Sequence, residues 1–262
     1  EALAAERVGK EAAMLVVSGT MGNLCALLAH CARGDEVLVG DLSHIYNYEA
    51  GGASVLGGVA FHVVPTLPNG ELPLDELAAA VRHADDSHEA LTRLICLENT
   101  HNRCGGVVLA PEYLRAVQAF ARERGLRVHL DGARLFNAAV AQRADVRSIT
   151  AHVDSVQFCL SKGLAAPVGS IVAGDAAFIA RARRIRKLVG GSMRQAGIIA
   201  AAGIVALEEM VDRLAEDHAN ARMLAEGLAS FPQIAIDLGS VQTDIVIFSL
   251  QPGACTATAL VQ

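Results

Sequence analysis

The chain has 262 residues, 52% of them hydrophobic, which is enough for a full core in one large domain or two small ones. Its formal charge of −6 gives no reason to expect a nucleic acid or an anionic membrane as partner, and no apolar run approaches the length of a membrane span. Six scattered cysteines without a CxxC pair read as buried thiols in a reducing, cytoplasmic compartment rather than as a disulfide framework.

Along the chain, apolar strand-like runs alternate with helical ones. Residues 12–17 end an element that leads into a Gly-Thr turn. Residues 22–33 follow as a helix, with Leu24, Leu27, Leu28 and Cys31 on one face. Residues 36–40 read as a strand. Residues 46–56 read as a helix weakened by Gly51-Gly52, and 60–64 as a strand. Leu74 opens a helix to residue 82 with Asp75 and Glu76 in its first turn. A strand at 94–97 precedes a helix from Pro111 to Gly125, with Pro at its start and Gly at its end. Strands follow at 127–130, 155–160 and 170–173, then a basic helix at 176–187. Residues 195–230 read as almost continuous helix, broken near Gly203. Residues 234–236 and 245–250 are strands of a different unit. The expected architecture is α/β, a mainly parallel sheet flanked by helices. A large domain is expected over 1–215, with a linking helix and the beginning of a small α+β domain over 216–262. Because the chain opens on Glu1 and stops within a helix-like stretch, it reads as part of a longer protein.

Only Lys10, Lys162 and Lys187 interrupt an otherwise all-arginine set of basic residues. Arginine serves wherever positive charge suffices, but a desolvated lysine can lose its proton and attack a carbonyl. Lys10 and Lys187 sit in charged stretches. Lys162 follows an apolar strand and precedes Gly163, which makes it a Schiff-base candidate. Ser161 beside it offers a hydroxyl. Ser18-Gly19-Thr20 precedes a helix whose first amides can bind an anion, although an ordinary helix cap explains it as well. Asp131, in HLDGAR, ends a strand close to Arg134. A carboxylate there can hold a pyridine nitrogen protonated, or simply pair with Arg134. His44 and His101 each follow a strand-like run, where a histidine can stack on a cofactor or move a proton, or merely cap a loop. The histidines show no metal-binding spacing, so no catalytic metal is expected.

The order of these motifs carries a resemblance. SGTMGNLCALLAHC, SHIYNYEAGGASVLGG, LENTHN, HLDGARLFNA, SKGLAAPVGS and RKLVGGSMRQAG together resemble the low-specificity L-threonine aldolases, pyridoxal phosphate enzymes of the aspartate-aminotransferase-like fold. The resemblance runs from Glu1 to about Asn220. LDGAR and SKG alone would also admit the wider β-eliminating lyases. It implies that Lys162 bonds the cofactor, Asp131 pairs with its pyridine nitrogen and His44 stacks on its ring. It implies that Gly19, Thr20 and Ser161 bind the phosphate and that Arg134 binds the substrate carboxylate. His101, with His44, would help deprotonate the substrate hydroxyl.

The implied reaction is retro-aldol cleavage of threonine or allo-threonine to glycine and acetaldehyde. The implied assembly is a homotetramer, a dimer of dimers with shared active sites. That gives Arg186, Lys187 and Arg194 a role that a solvated helix face explains equally well. The family's N-terminal Arg-Ser-Asp-Thr motif and most of its small domain are absent. Its usual Thr-Asn appears as Thr243-Asp244, and Gly22 replaces a larger residue without expected effect. Two rivals stand beside this reading: a β-eliminating lyase with the same cofactor residues, and a non-catalytic scaffold that keeps the fold.

Overall fold

A computed structural model describes residues 1–261. Seven strands form one sheet: β1 (Ala12–Val16), β2 (Asp35–Gly40), β3 (Ala60–Val64), β4 (Leu91–Glu98), β5 (Arg127–Asp131), β6 (Ser155–Cys159) and β7 (Ser170–Gly174), in the order β1-β7-β6-β5-β4-β2-β3. The run β3-β2-β4-β5-β6 is parallel throughout, and β7 lies antiparallel to both β6 and β1. Every residue of β2, β6 and β7 is buried, because helices cover both faces. That is why Val37, Leu38 and Val39 of β2, and Ile171, Val172 and Ala173 of β7, read as continuous apolar runs instead of alternating ones.

The helices are α1 (Ala2–Arg7), α2 (Gly19–His30), α3 (His44–Asn47), α4 (Gly52–Gly57), α5 (Leu74–Ala80), α6 (Pro111–Glu123), α7 (Leu135–Gln142), α8 (Val146–Thr150), α9 (Ala176–Leu188), α10 (Gly197–Val205), α11 (Leu214–Ala229) and α12 (Ala257–Val261). The strand period of two distributes each strand between two cores. In β4, Leu94 and Cys96 pack with Leu27 of α2, whereas Ile95 and Leu97 pack with Leu77 of α5 and Leu114 of α6. Met14 and Val16 of β1 meet Cys25 of α2 and Phe178 of α9 on the first of these faces.

Several sequence expectations need correction. The helix expected over 46–56 is two short helices, α3 and α4, since Ala50 and Gly51 take left-handed backbone angles (φ 54° and 64°) that no helix continues through. The long helix expected over 195–230 does not break at Gly203. Gly203 lies inside α10, where an added Cβ would sit 2.9 Å from Leu160 Cδ1. The interruption falls at a π-helical stretch, Ala206–Met210, and the turn after it. Of the strand expected at 245–250, only Ser249–Leu250 (β9) pairs, with Ile234–Ala235 (β8). Gly22 is also not indifferent. A Cβ there would lie 2.7 Å from Gln157 Cγ and 3.2 Å from Val172, so a side chain would push α2 off β6 and β7.

Candidate active site

The C-terminal ends of the parallel strands define one rim, where open α/β sheets take their ligands. Register places Glu98 of β4 directly opposite Asp131 of β5, and Asp131 opposite Gln157 of β6. The turn after Asp131 is tight. Gly132 N–H donates to Gln157 O at 2.7 Å, and a Cβ on Gly132 would lie 2.8 Å from that oxygen, so only glycine fits there. Arg134 then caps α7, with Nη1 donating to Asn102 Oδ1 (3.3 Å) and Nε 3.6 Å from Asp244 Oδ2.

One cavity at this rim is lined by Gly19, Thr20, His44, Asp131, Arg134 and Lys162, together with Asn23, Glu49, Glu98 and Gln157. Six of the eight site residues expected from the sequence therefore come together. Two do not. Ser161 is exposed beside Lys162 but does not line the cavity. His101 is buried behind the wall that Thr100 and Asn102 form, its Cβ 3.0 Å from the Cβ position of Gly70. Neither His101 ring nitrogen has a partner among the described residues, and burial pushes its pKa down to about 4. The geometry supports no contact between His101 and a ligand in this cavity, because its side chain is buried and does not line it.

Ser18 caps α2 by accepting from Met21 N–H (3.2 Å), and the Gly19 and Thr20 amides have no partner among the described residues. That leaves an anion-binding helix start at one end of the cavity. At the floor, Asp131 is buried and accepts from Asn23 Nδ2 (2.9 Å) and Ala133 N–H (3.1 Å). With its amide turned to satisfy both neighbours, Gln157 also donates to Asp131 Oδ1 (2.9 Å) and accepts from Phe158 N–H. His44 Nδ1 lies 3.0 Å from Glu49 Oε1, which raises the His44 pKa, while burial raises that of Glu49. His44, Glu49 and Asp131 each bring a ligand-type atom within 4.8 Å of the others. The Asn23 amide group donates into the space between both carboxylates, so a cation there would face N–H groups.

Sequence reading missed Glu98, although it stands in the singled-out Glu-Asn-Thr-His run. Its carboxylate accepts from His44 N–H (2.7 Å) and Asn102 N–H (2.9 Å), joining the two loops that flank the cavity. Burial, and then the charge of Asp131, nevertheless push its pKa up to about 7. A carboxyl whose pKa rises on folding stabilises fully below its unfolded value of 4.5 and loses that contribution as pH climbs through the folded one. Folding stability should therefore decline between about pH 4.5 and 7, by about 3 kcal/mol at most from this group. Glu98→Gln should flatten that slope. Denaturant titrations of both proteins at pH 5 and 7.5 test this, and parallel slopes would show that Glu98 titrates normally.

Known proteins resemble this chain along most of its length. The beta-eliminating lyase family profile matches residues 1–251. Low-specificity L-threonine aldolase 1 of Arabidopsis thaliana is 45% identical over 252 residues, covering 95% of this chain and 70% of that protein. The low specificity L-threonine aldolase of Escherichia coli K12 is 52% identical over 225 residues, covering 86% of this chain and 66% of that one. A solved structure from Exiguobacterium sp. 255-15, described as a "putative aromatic amino acid beta-eliminating lyase/threonine aldolase", superposes with a TM-score of 0.79 at 27% identity, covering 95% of this chain and 67% of that one. This chain thus spans about two thirds of the length of these relatives. Sheet, helices and relatives together place the architecture with the pyridoxal phosphate-dependent transferase fold, and the chain belongs to the beta-eliminating lyase family.

Proposed function

We propose that the protein is a pyridoxal phosphate-dependent aldolase that cleaves L-threonine and L-allo-threonine to glycine and acetaldehyde. The observation that carries this reading is the convergence of Asp131, His44, Lys162, Arg134 and the open start of α2 on one cavity. The donor set suits the cofactor: a buried carboxylate for a pyridinium, free amides for a phosphate, an imidazole for a ring face and an amine for an aldehyde. When bound, the cofactor supplies an electron sink for the pair released at Cα.

The protein's part is to bind, orient and move protons. Lys162 would hold the cofactor through its amine. Arg134 fixes the substrate carboxylate with its planar fork, which turns the Cα–Cβ bond into the reactive direction. Asn102 and Asp244 hold that guanidinium from two sides. His44 is the histidine lining the cavity among the described residues. With Nδ1 held by Glu49, its Nε2 is the nitrogen available to accept the β-hydroxyl proton. His101 has no such access.

Arg134→Lys should lower kcat/KM for threonine by about thirty- to a hundred-fold, since one charge-assisted bidentate contact is worth about 2–3 kcal/mol. Cofactor affinity should stay the same. Loss of cofactor with an unchanged KM would give Arg134 to the cofactor instead.

The products test the reaction. Glycine plus acetaldehyde from allo-threonine supports the aldolase. Ammonia plus a 2-oxo acid would support a β-eliminating lyase, the reading that the family's breadth favours next. Self-association as a homotetramer is part of the proposal, and Val55, Leu188 and Ile198, each at least 75% accessible, offer apolar surface for it. Residues 1–215 would form the cofactor domain and 216–262 the linking helix and start of a small domain. No described helix is long and apolar enough to cross a membrane, and cytoplasmic placement is part of the proposal.

A further inference from the structure

Behind Asp131 runs a buried chain of polar side chains that the reaction outlined above does not use. Asn23 Nδ2 donates to both Asp131 Oδ2 (2.9 Å) and Glu49 Oε1 (2.8 Å). Asn23 Oδ1 lies 3.1 Å from His129 Nε2. His129 Nδ1 lies 2.8 Å from Ser155 Oγ, and Ser155 Oγ lies 2.7 Å from His30 Nε2. Asn23, His129 and Ser155 are essentially inaccessible to solvent.

The donors can be ordered from one end. Two carboxylates face one atom of the Asn23 amide, so that atom is the nitrogen and its oxygen faces His129. His129 must then donate from Nε2. Burial pushes the His129 pKa down to about 3, so the ring carries one proton and Nδ1 is bare. Ser155 therefore donates to Nδ1 and accepts from His30 Nε2–H. This single arrangement satisfies every member of the chain. Reversing the Asn23 amide would set its oxygen against two carboxylates and its N–H groups against the His129 N–H.

We propose that Asn23 and His129 are positioning residues that set the spacing between Asp131 and His44: Asn23 ties Asp131 to the Glu49 that holds His44, and His129, as its Nε2–H tautomer, prevents the Asn23 amide from reversing. The proposal rests on the reading that Asp131 and His44 flank a cofactor ring. One amide nitrogen would then fix the carboxylate at the ring edge and, through Glu49, the imidazole on its face. Such supporting bonds are what keep a binding constellation within the tolerance it needs.

The first test needs no cofactor. Nitrogen-15 NMR of the folded protein should show His129 protonated on Nε2 from pH 5 to 8, and an Nδ1–H tautomer would overturn the proposal. The second test reads pyridoxal phosphate affinity and the pH titration of its bound absorption band. Asn23→Leu and His129→Leu should each weaken cofactor binding about ten- to a hundred-fold, the worth of a hydrogen bond to a charged group, and shift the titration. His129→Gln, which keeps an N–H toward Asn23, should bind nearly as tightly as the wild type. Asp131→Asn separates the two levels. If it binds cofactor like the wild type, the ring-site reading fails. If it binds weakly while a folded Asn23→Leu and His129→Leu do not, the positioning role fails. Should Asn23→Leu not fold, the tautomer and the contrast between His129→Leu and His129→Gln decide.

Discussion

Borohydride reduction of the protein loaded with pyridoxal phosphate should leave the pyridoxyl group on Lys162, and peptide mapping should find none on Lys10 or Lys187. Lys162→Ala should lower turnover by roughly three to six orders of magnitude, the usual cost of deleting a covalent group. Lys10 has its pKa lowered by burial, and chemistry judged from basicity would choose it. Yet its Nζ donates to Thr150 O (2.8 Å) and Val153 O (2.6 Å), just ahead of β6, at the end of the sheet away from the cavity. Lys187 is exposed near the end of α9. Lys162 alone lines the cavity that holds Asp131 and His44. A label on Lys10 or Lys187 would sink the assignment and the proposed function with it.

Asp131→Asn should reduce turnover by roughly two to four orders of magnitude, because the charge that keeps a pyridine nitrogen protonated is lost where it stabilises the transition state most. The change also disturbs the floor of the cavity. Asn23 and Gln157 both present N–H groups to Asp131, and an amide there would have to meet one of them with its own NH2. Cofactor affinity should therefore fall together with turnover. Steady-state kinetics, with a thermal melt of the cofactor-free protein to establish that the fold persists, measures both. Near-normal turnover would reduce Asp131 to a local partner of the loop that carries Arg134.

Local chemistry in the sequence was sufficient for much of this. The alternation of apolar runs with helical ones determined the α/β class, because strand and helix periods are properties of a few adjacent residues. The contrast between Lys162 and its arginine neighbours, and the Asp131–Arg134 spacing, marked the rim for the same reason. What the tertiary structure decided was every relation across distance. The antiparallel β7, the strand order and the break after Met210 rest on packing partners far along the chain. So does the burial of His101, whose strand-end position resembles that of His44 in sequence although only His44 reaches the cavity. In sequence, Asn23 is one of the few polar residues in a mainly apolar helix. Only when α2 lies across β5 do its bonds to Glu49, 26 residues away, and to Asp131, 108 residues away, come into being. Hydrophobic periodicity specifies which face of an element is buried, but a buried polar group acquires its meaning from the partners that the fold brings to it.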